Sequence, residues 1–232
     1  MAARLEHRLH QPQVGPTELS RGCTFAAESG LAAVLCRPEH VPAAAERLAG
    51  SEVDVVTVLG FHDPRSPRRS PQELAREADE LTAQGATELA LVATPGSMPA
   101  DGTAFLVDQI GAVTQAAPHG TRVRTLLDTT AMTDDEISAS CRAMVDAGVQ
   151  LIQGGSFRGD RTAFSQVEIM RSAMPRNVLL KWTQPVRSVQ AMLVSLAVGV
   201  DRFNGDPAAL LQDASRQTRV GPLRIPVSGI DF

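Results

Sequence analysis

Short, nearly unbroken apolar runs alternate along this chain with longer stretches in which apolar residues recur every three or four positions. The runs are Leu5–His10, Ala32–Cys36, Asp54–Gly60, Glu88–Thr94, Val123–Thr129, Val149–Gly154, Val178–Thr183 and Arg202–Asn204. Each has the length of a strand, and a run without polar alternation suits a strand covered on both faces of a parallel sheet. Between them lie Glu18–Ser29, Val41–Ala49, Pro71–Gln84, Asp101–Ala117, Thr133–Ala147, Phe164–Met174 and Val186–Val198, which carry helix punctuation. Thr133 with Glu136 three residues on is a capping-box signature, Pro71 suits a first helical turn, and Gly30, Gly50, Gly85, Gly148 and Gly199 stand where helices should stop. About eight strand–helix alternations in 232 residues predict an α/β chain folded as a single-domain (β/α)8 TIM barrel. The barrel core is expected over residues 5–206, followed by a C-terminal helix and tail over residues 207–232.

Charge and composition exclude several classes of function. With 26 acidic and 22 basic side chains the formal charge is −4, too weak to steer nucleic acid or an anionic membrane surface. The longest apolar stretch, around Ala191–Val200, is too short to span a bilayer, and the opening MAARLEHRLHQPQV is too broken by charge for a signal peptide. Cys23, Cys36 and Cys141 are scattered and odd in number, as expected of buried, reduced thiols in a cytoplasmic protein. No Gly-x-Gly-x-x-Gly fingerprint, Walker motif, His-x-x-x-His pair or Gly-x-Ser-x-Gly elbow occurs. The expected partner is thus a small molecule handled without cofactor or metal.

In a barrel of this type the strands' C-terminal ends face the active site. The residues placed there are Glu6 and His7, Arg37, His62 and Asp63, Thr94, Asp128 and Thr129, Gln153, Lys181 and Thr183, and Asn204 to Asp206. Two-residue alternation groups Lys181 with Leu179 and Thr183, Asp128 with Leu126, and Gln153 with Leu151, so Lys181, Gln153 and Asp128 are expected to converge. Of 22 basic side chains Lys181 is the only lysine. Arginine cannot give up its proton or form an imine, whereas a lysine desolvated on an apolar strand can supply a neutral amine to a carbonyl. A snorkelling or ion-paired lysine is the plain alternative. Asp128 is a candidate acid, base or lysine partner, or a simple loop cap. Glu6 with His7, and His62 with Asp63, are weaker proton-transfer pairs, and His10, His40 and His119 read as surface residues.

These residues bring a known family into view. LEHRLHQPQVGPTEL is similar to the opening Ile-Asp-His-Thr-Leu-Leu stretch of deoxyribose-phosphate aldolases, class I lysine-dependent barrel enzymes. GLAAVLCRPEHVPAAAERL, VDVVTVLGF, GATELALV, RTLLDTTAMTDDEI and AGVQLIQGGS extend the resemblance from about Leu5 to Asp206. The family's Schiff-base lysine, in Lys-Thr-Ser-Thr-Gly on the sixth strand, falls on Gln153 of Gln153-Gly154-Gly155-Ser156-Phe157, and its proton-shuttling aspartate on Ala90. Its second active-site lysine falls on Lys181, its fifth-strand glutamate on Asp128 and its first-strand aspartate on Glu6. The phosphate-binding Gly-Gly pair becomes Gln184-Pro185, and the turn after the last strand reads Asn204-Gly205-Asp206-Pro207. Proline has no N–H to offer, and Asp206 sets a negative charge where phosphate would lie.

The resemblance therefore implies a diverged enzyme performing lysine-dependent carbonyl chemistry on an unphosphorylated substrate: aldol-type cleavage or formation, dehydration or cyclisation, in a biosynthetic setting. Lys181, Asp128 and Gln153 are the expected catalytic set. The positions expected to touch substrate are Glu6, His7, Arg37, His62, Thr129, Ser156, Arg158, Thr183, Gln184, Arg187 and Asn204. Two alternatives stand beside this reading: a non-covalent isomerase or cyclase using Lys181 electrostatically, and a binding protein without turnover. The family also suggests a homodimer.

Overall fold

Each predicted strand run supplies a strand, and the strands close on themselves. The computed structural model describes residues 1–60, 69–93, 102–156 and 162–226. Within them the strands are β1 (Leu5–Leu9), β2 (Ala33–Cys36), β3 (Asp54–Leu59), β4 (Glu88–Ala93), β5 (Arg122–Asp128), β6 (Leu151–Gly155), β7 (Leu179–Trp182) and β8 (Arg202–Asn204). Every neighbouring pair is parallel, in sequence order, and β8 pairs back onto β1. The helices α1 (Pro16–Ser29), α2 (Val41–Leu48), α3 (Pro71–Ala83), α4 (Gly102–Ala116), α5 (Asp134–Asp146), α6 (Gln166–Ser172), α7 (Val189–Ala197) and α8 (Pro207–Thr218) complete a (β/α)8 barrel. None of the described helices is long and apolar enough to cross a membrane.

Local chemistry sets the boundaries. Thr133 and Glu136 form the predicted capping box at α5, and Ser70 with Glu73 builds a second at α3, with Pro71 in its first turn. Gly148 and Gly199, at φ 97° and 98°, turn the chain from α5 towards β6 and from α7 towards β8 in the left-handed region that a Cβ disfavours. The turn after α5 also takes Val149 and Gln150, so β6 begins two residues later than its apolar run.

Two apolar regions hold the barrel. The larger lies between strands and helices, where α3 contributes Leu74, Ala78 and Leu81, a stripe at helical spacing. The smaller, Ala33, Leu35, Val56, Val58 and Ala90 with Val92 and Leu126 against it, lies on the strands' other face, inside the barrel. At those positions of β2–β5 the interior is therefore apolar. Charge fills the remainder. The three cysteines are free and buried, and burial pushes the Cys36 and Cys141 thiols up to about 12.

Candidate active site

The inward positions of β1, β3, β4, β5, β7 and β8 carry a buried ion network. Arg124 Nη1 on β5 donates to Glu6 Oε1 on β1 at 2.9 Å and to Oε2 at 3.1 Å, and lies 3.0 Å from Glu88 Oε1 on β4. β1 and β5 stand opposite one another, so this pair crosses the barrel axis. Arg202 on β8 donates to Glu88 at 2.8 Å and to Asp54 on β3 at 2.7 Å, and reaches Glu6 at 3.5 Å. Arg122 joins Asp54 and Glu88 at 2.5 and 2.7 Å. Lys181 Nζ donates to Glu6 Oε2. Glu6, Glu88, Arg124 and Lys181 have at most 1% of their side chains exposed.

Four cations thus face three carboxylates; Arg122 and Asp54 keep 30% and 24% of their side chains exposed, while the rest lie in a place nearly free of water. Charges there interact far more strongly than at a surface, so a surplus positive charge is costly. The three arginines cannot shed it; Lys181 can. Burial lowers the Lys181 pKa to about 8, Glu6 acts to raise it and Arg124 to lower it. Burial alone would raise the Glu6 carboxyl, but Arg124, Lys181 and Arg202 hold it well below the usual carboxylate range. Glu6 is therefore a fixed anion, and Lys181 the member of the network able to change charge near neutrality.

The other expected residues are distributed less simply. Lys181 lies deeper than the strand-end reading implies: its amine sits in an enclosed ion pair, and carbonyl capture requires it to leave Glu6. Gln153 is level with Lys181 in register and donates to Thr183 Oγ1 at 3.3 Å. Asp128 does not meet Lys181 among the contacts of the described residues. Its Oδ1 accepts from Thr130 N at 3.0 Å and Thr130 Oγ1 at 2.5 Å, a loop cap of the plain kind considered for it. His7 and Glu6 cannot pair, because successive strand residues face opposite ways: the His7 ring packs edge-on against Phe25 of α1, 5.8 Å between centroids. Thr129 is tied to Gln166 of α6 at 2.8 Å, and Arg37 to Glu39 at 3.0 Å. Ser156 and Asn204 are buried, while Gln184 and Arg187 are exposed. Asn204 Nδ2 donates to the Thr183 carbonyl at 3.2 Å, leaving its Oδ1 buried and unpartnered among the described residues. His62, Asp63, Thr94 and Arg158 lie outside the described residues.

One position read from the sequence as a surface residue belongs here. His10, two inward steps beyond Glu6, is half-buried with Nδ1 unpartnered among the described residues, and the inward-facing Arg124 and Lys181 act on its ring electrostatically. Asp206 caps α8, its Oδ1 accepting from Ala209 N at 3.1 Å. A cavity of about 640 Å³ opens at the opposite end of the barrel, beside the first residues of β3, β5 and β8, Asp54, Arg122 and Arg202. That is the end at which barrels carry stability, not chemistry. Among the described residues no three His, Cys, Asp or Glu side chains gather as a metal-holding group.

No family model matches the chain. Individual relatives do. Deoxyribose-phosphate aldolase 1 of Bacillus licheniformis is 30% identical over 204 residues, covering 88% of this chain and 90% of the relative. A deoxyribose-phosphate aldolase of Bacillus cereus is 30% identical over 223 residues, covering 94% and 98%. Among solved structures, the aldolase QR15 superposes with a TM-score of 0.81 at 18% identity, over 94% of this chain and 97% of the other. The deoxyribose phosphate aldolase of Aeropyrum pernix, a tetramer, gives 0.77 at 18%, over 94% and 91%. The sequence relatives, with the barrel that the solved structures share, establish that the chain belongs to the deoxyribose-phosphate aldolase family.

Proposed function

We propose that the protein is an aldolase-type lyase that handles an unphosphorylated carbonyl compound through the amine of Lys181. One observation carries this reading: the chain's single lysine sits at the barrel centre, in a network whose surplus positive charge only it can release. A neutral amine attacks a ketone or aldehyde, and loss of water leaves an imine whose positive nitrogen draws electrons from the neighbouring carbon–carbon bond. Gln153, where the family carries its imine-forming lysine, offers an amide to hold the substrate. The unphosphorylated character follows from the last two strand ends. Pro185 cannot donate, and the Asp206 carboxylate occupies a first-turn N–H of α8 and places negative charge at that helix end. A phosphate there would be repelled.

The Glu6 contact supports a second reading, in which Lys181 stays charged and stabilises an oxyanion without forming a bond. Borohydride trapping separates the two. The protein is incubated with acetone or propanal, reduced, and weighed intact; an adduct localises to Lys181 or the α-amino group, since no other primary amine exists. Adduct on Lys181 is expected, its yield rising as pH passes through about 8 and levelling above it, because the neutral amine is the reacting form. Cleavage of 4-hydroxy-4-methylpentan-2-one to acetone should accompany it, and a terminal phosphate on a β-hydroxyaldehyde should not speed cleavage. Turnover without adduct at any pH would establish the second reading. Neither turnover nor adduct would leave a binding protein.

A further inference from the structure

Once Lys181 holds a substrate as an imine, cleavage still requires a group to accept the hydroxyl proton, and the network around Lys181 offers none. Glu6 is neutralised by three cations and binds no proton near neutral pH. Ala90 presents a methyl group within the apolar interior cluster. Asp128 is turned onto Thr130.

We propose that His10 is the proton carrier of this reaction, an inference that rests on the imine reading of Lys181. Its place immediately after β1 is the first argument. Leu5, His7 and Leu9 form the outward set, with His7 on Phe25 and Leu9 close against the α1 backbone at Gly22. Glu6 is inward and so is Arg8, level with Leu35 of the interior cluster; His10 follows one residue past the strand's C-terminal end, the end where substrate enters, close enough for Lys181 and Arg124 to act on its ring. The second argument is an unfilled hydrogen-bonding capacity: Nδ1 is buried and finds no partner among the described residues. An orphaned buried ring nitrogen is costly in a finished core and useful where a ligand completes it. The third is electrostatic. Burial, Arg8, Lys181 and Arg124 all lower the His10 pKa, so the imidazole is held neutral and able to accept a proton. The leucine that ends the family's opening stretch, where His10 stands here, could not do this.

The proton inventory closes. In the imine formed by a β-hydroxy carbonyl compound, the hydroxyl O–H breaks and its proton moves to the His10 ring. The C–C bond breaks to release an aldehyde or ketone, and its electron pair forms the C=C bond of an enamine as the iminium nitrogen becomes neutral. The same proton then passes from His10 to the enamine carbon. Water hydrolyses the resulting imine, freeing the second carbonyl product and the Lys181 amine.

Half of this cycle can be read without knowing the substrate, by the exchange of acetone methyl protons for deuterium in heavy water. His10→Leu and His10→Gln should each form the borohydride-trapped Lys181 adduct to within about twofold of the wild type, yet exchange protons about 100-fold more slowly, the usual worth of a positioned acid–base group. Glutamine keeps hydrogen bonding but not basicity, so equal losses in both variants identify proton transfer, not packing. The proposal is overturned by wild-type exchange in either variant, by loss of adduct together with exchange in both, or by an equal loss in Asp128→Asn with His10→Leu unaffected. If the wild type exchanges without any adduct and the variants do not, the imine reading falls and the role of His10 stands. If the wild type does neither, both fall.

Discussion

Replacing Lys181 by methionine is expected to abolish turnover and the reducible adduct while leaving the barrel folded. The substitution removes the surplus charge of the network, leaving Arg122, Arg124 and Arg202 against Glu6, Glu88 and Asp54. Glu6 loses one partner but keeps Arg124 at 2.9 and 3.1 Å, so no carboxylate is left stranded. Methionine also fills the volume of the aliphatic stem. The stability cost should be about 1 kcal/mol, the net worth of one hydrogen bond, which lowers the melting temperature of a chain this size by roughly 2–4 °C. Activity should fall by at least about 10³-fold, since a residue essential to a covalent step leaves little behind. Lys181→Arg completes the experiment. Arginine restores the charge and cannot form an imine. An inactive methionine variant beside an active arginine variant would show that the lysine works by charge alone and would remove the covalent mechanism. Calorimetry of both variants checks that an inactive protein is a folded one.

Much of this arrangement was legible in the chain, for reasons that also explain what was not. The barrel could be read because strands covered on both faces must be apolar almost throughout, as Asp54–Leu59 and Leu151–Gly155 are, and because helix caps are local chemistry. Thr133 and Glu136 find each other whatever the rest of the chain does. Lys181 stood out as the only lysine. Its partner did not. Glu6 and Asp128 both read as residues of C-terminal strand ends, with Asp128 expected to meet Lys181, whereas the carboxylate at Lys181 is Glu6, the second residue of β1. That meeting depends on how β8 staggers between its neighbours, with Lys181 level with Arg202 and Phe203 level with Leu5, and no local pattern encodes stagger. The remaining network had a signal that went unused. Arg122 and Arg124 alternate with Val123 and Thr125 in a buried strand, and Asp54, Glu88 and Arg202 open three others. Charges of both signs at matching positions in separate apolar strands point to one shared interior. His10 closes the run Leu5–His10 that also holds Glu6, yet as a lone polar ring at the end of an apolar run it read as a surface residue.

Glu6→Gln should have the opposite signature from Lys181→Met: a large loss of stability, with chemistry in whatever remains folded. Glutamine is close in volume and still accepts a hydrogen bond, but four cations would then face two carboxylates, with water reaching only Arg122 and Asp54 appreciably. Removing one partner of a buried ion pair costs about 3–5 kcal/mol because it strands the other; here Lys181 loses its carboxylate, while Arg124 is left with Glu88 alone and Arg202 with Glu88 and Asp54. The melting temperature should fall by roughly 6–20 °C. The pH dependence gives an independent check. The folded-state pKa of Glu6 is depressed, so its contribution is complete above the unfolded value near 4.5 and is lost as pH falls below it. The gap between wild type and variant should therefore be constant from pH 5 to 7 and narrow in acid. Glu6 also acts to raise the Lys181 pKa, so without it the amine releases its proton more readily. Adduct formation in the folded fraction of Glu6→Gln should then reach half its plateau below pH 8. A variant as stable as the wild type, with an unmoved pH midpoint, would mean that Glu6 neither balances the interior charge nor holds the proton of Lys181, and the electrostatic basis for a reactive amine would be gone.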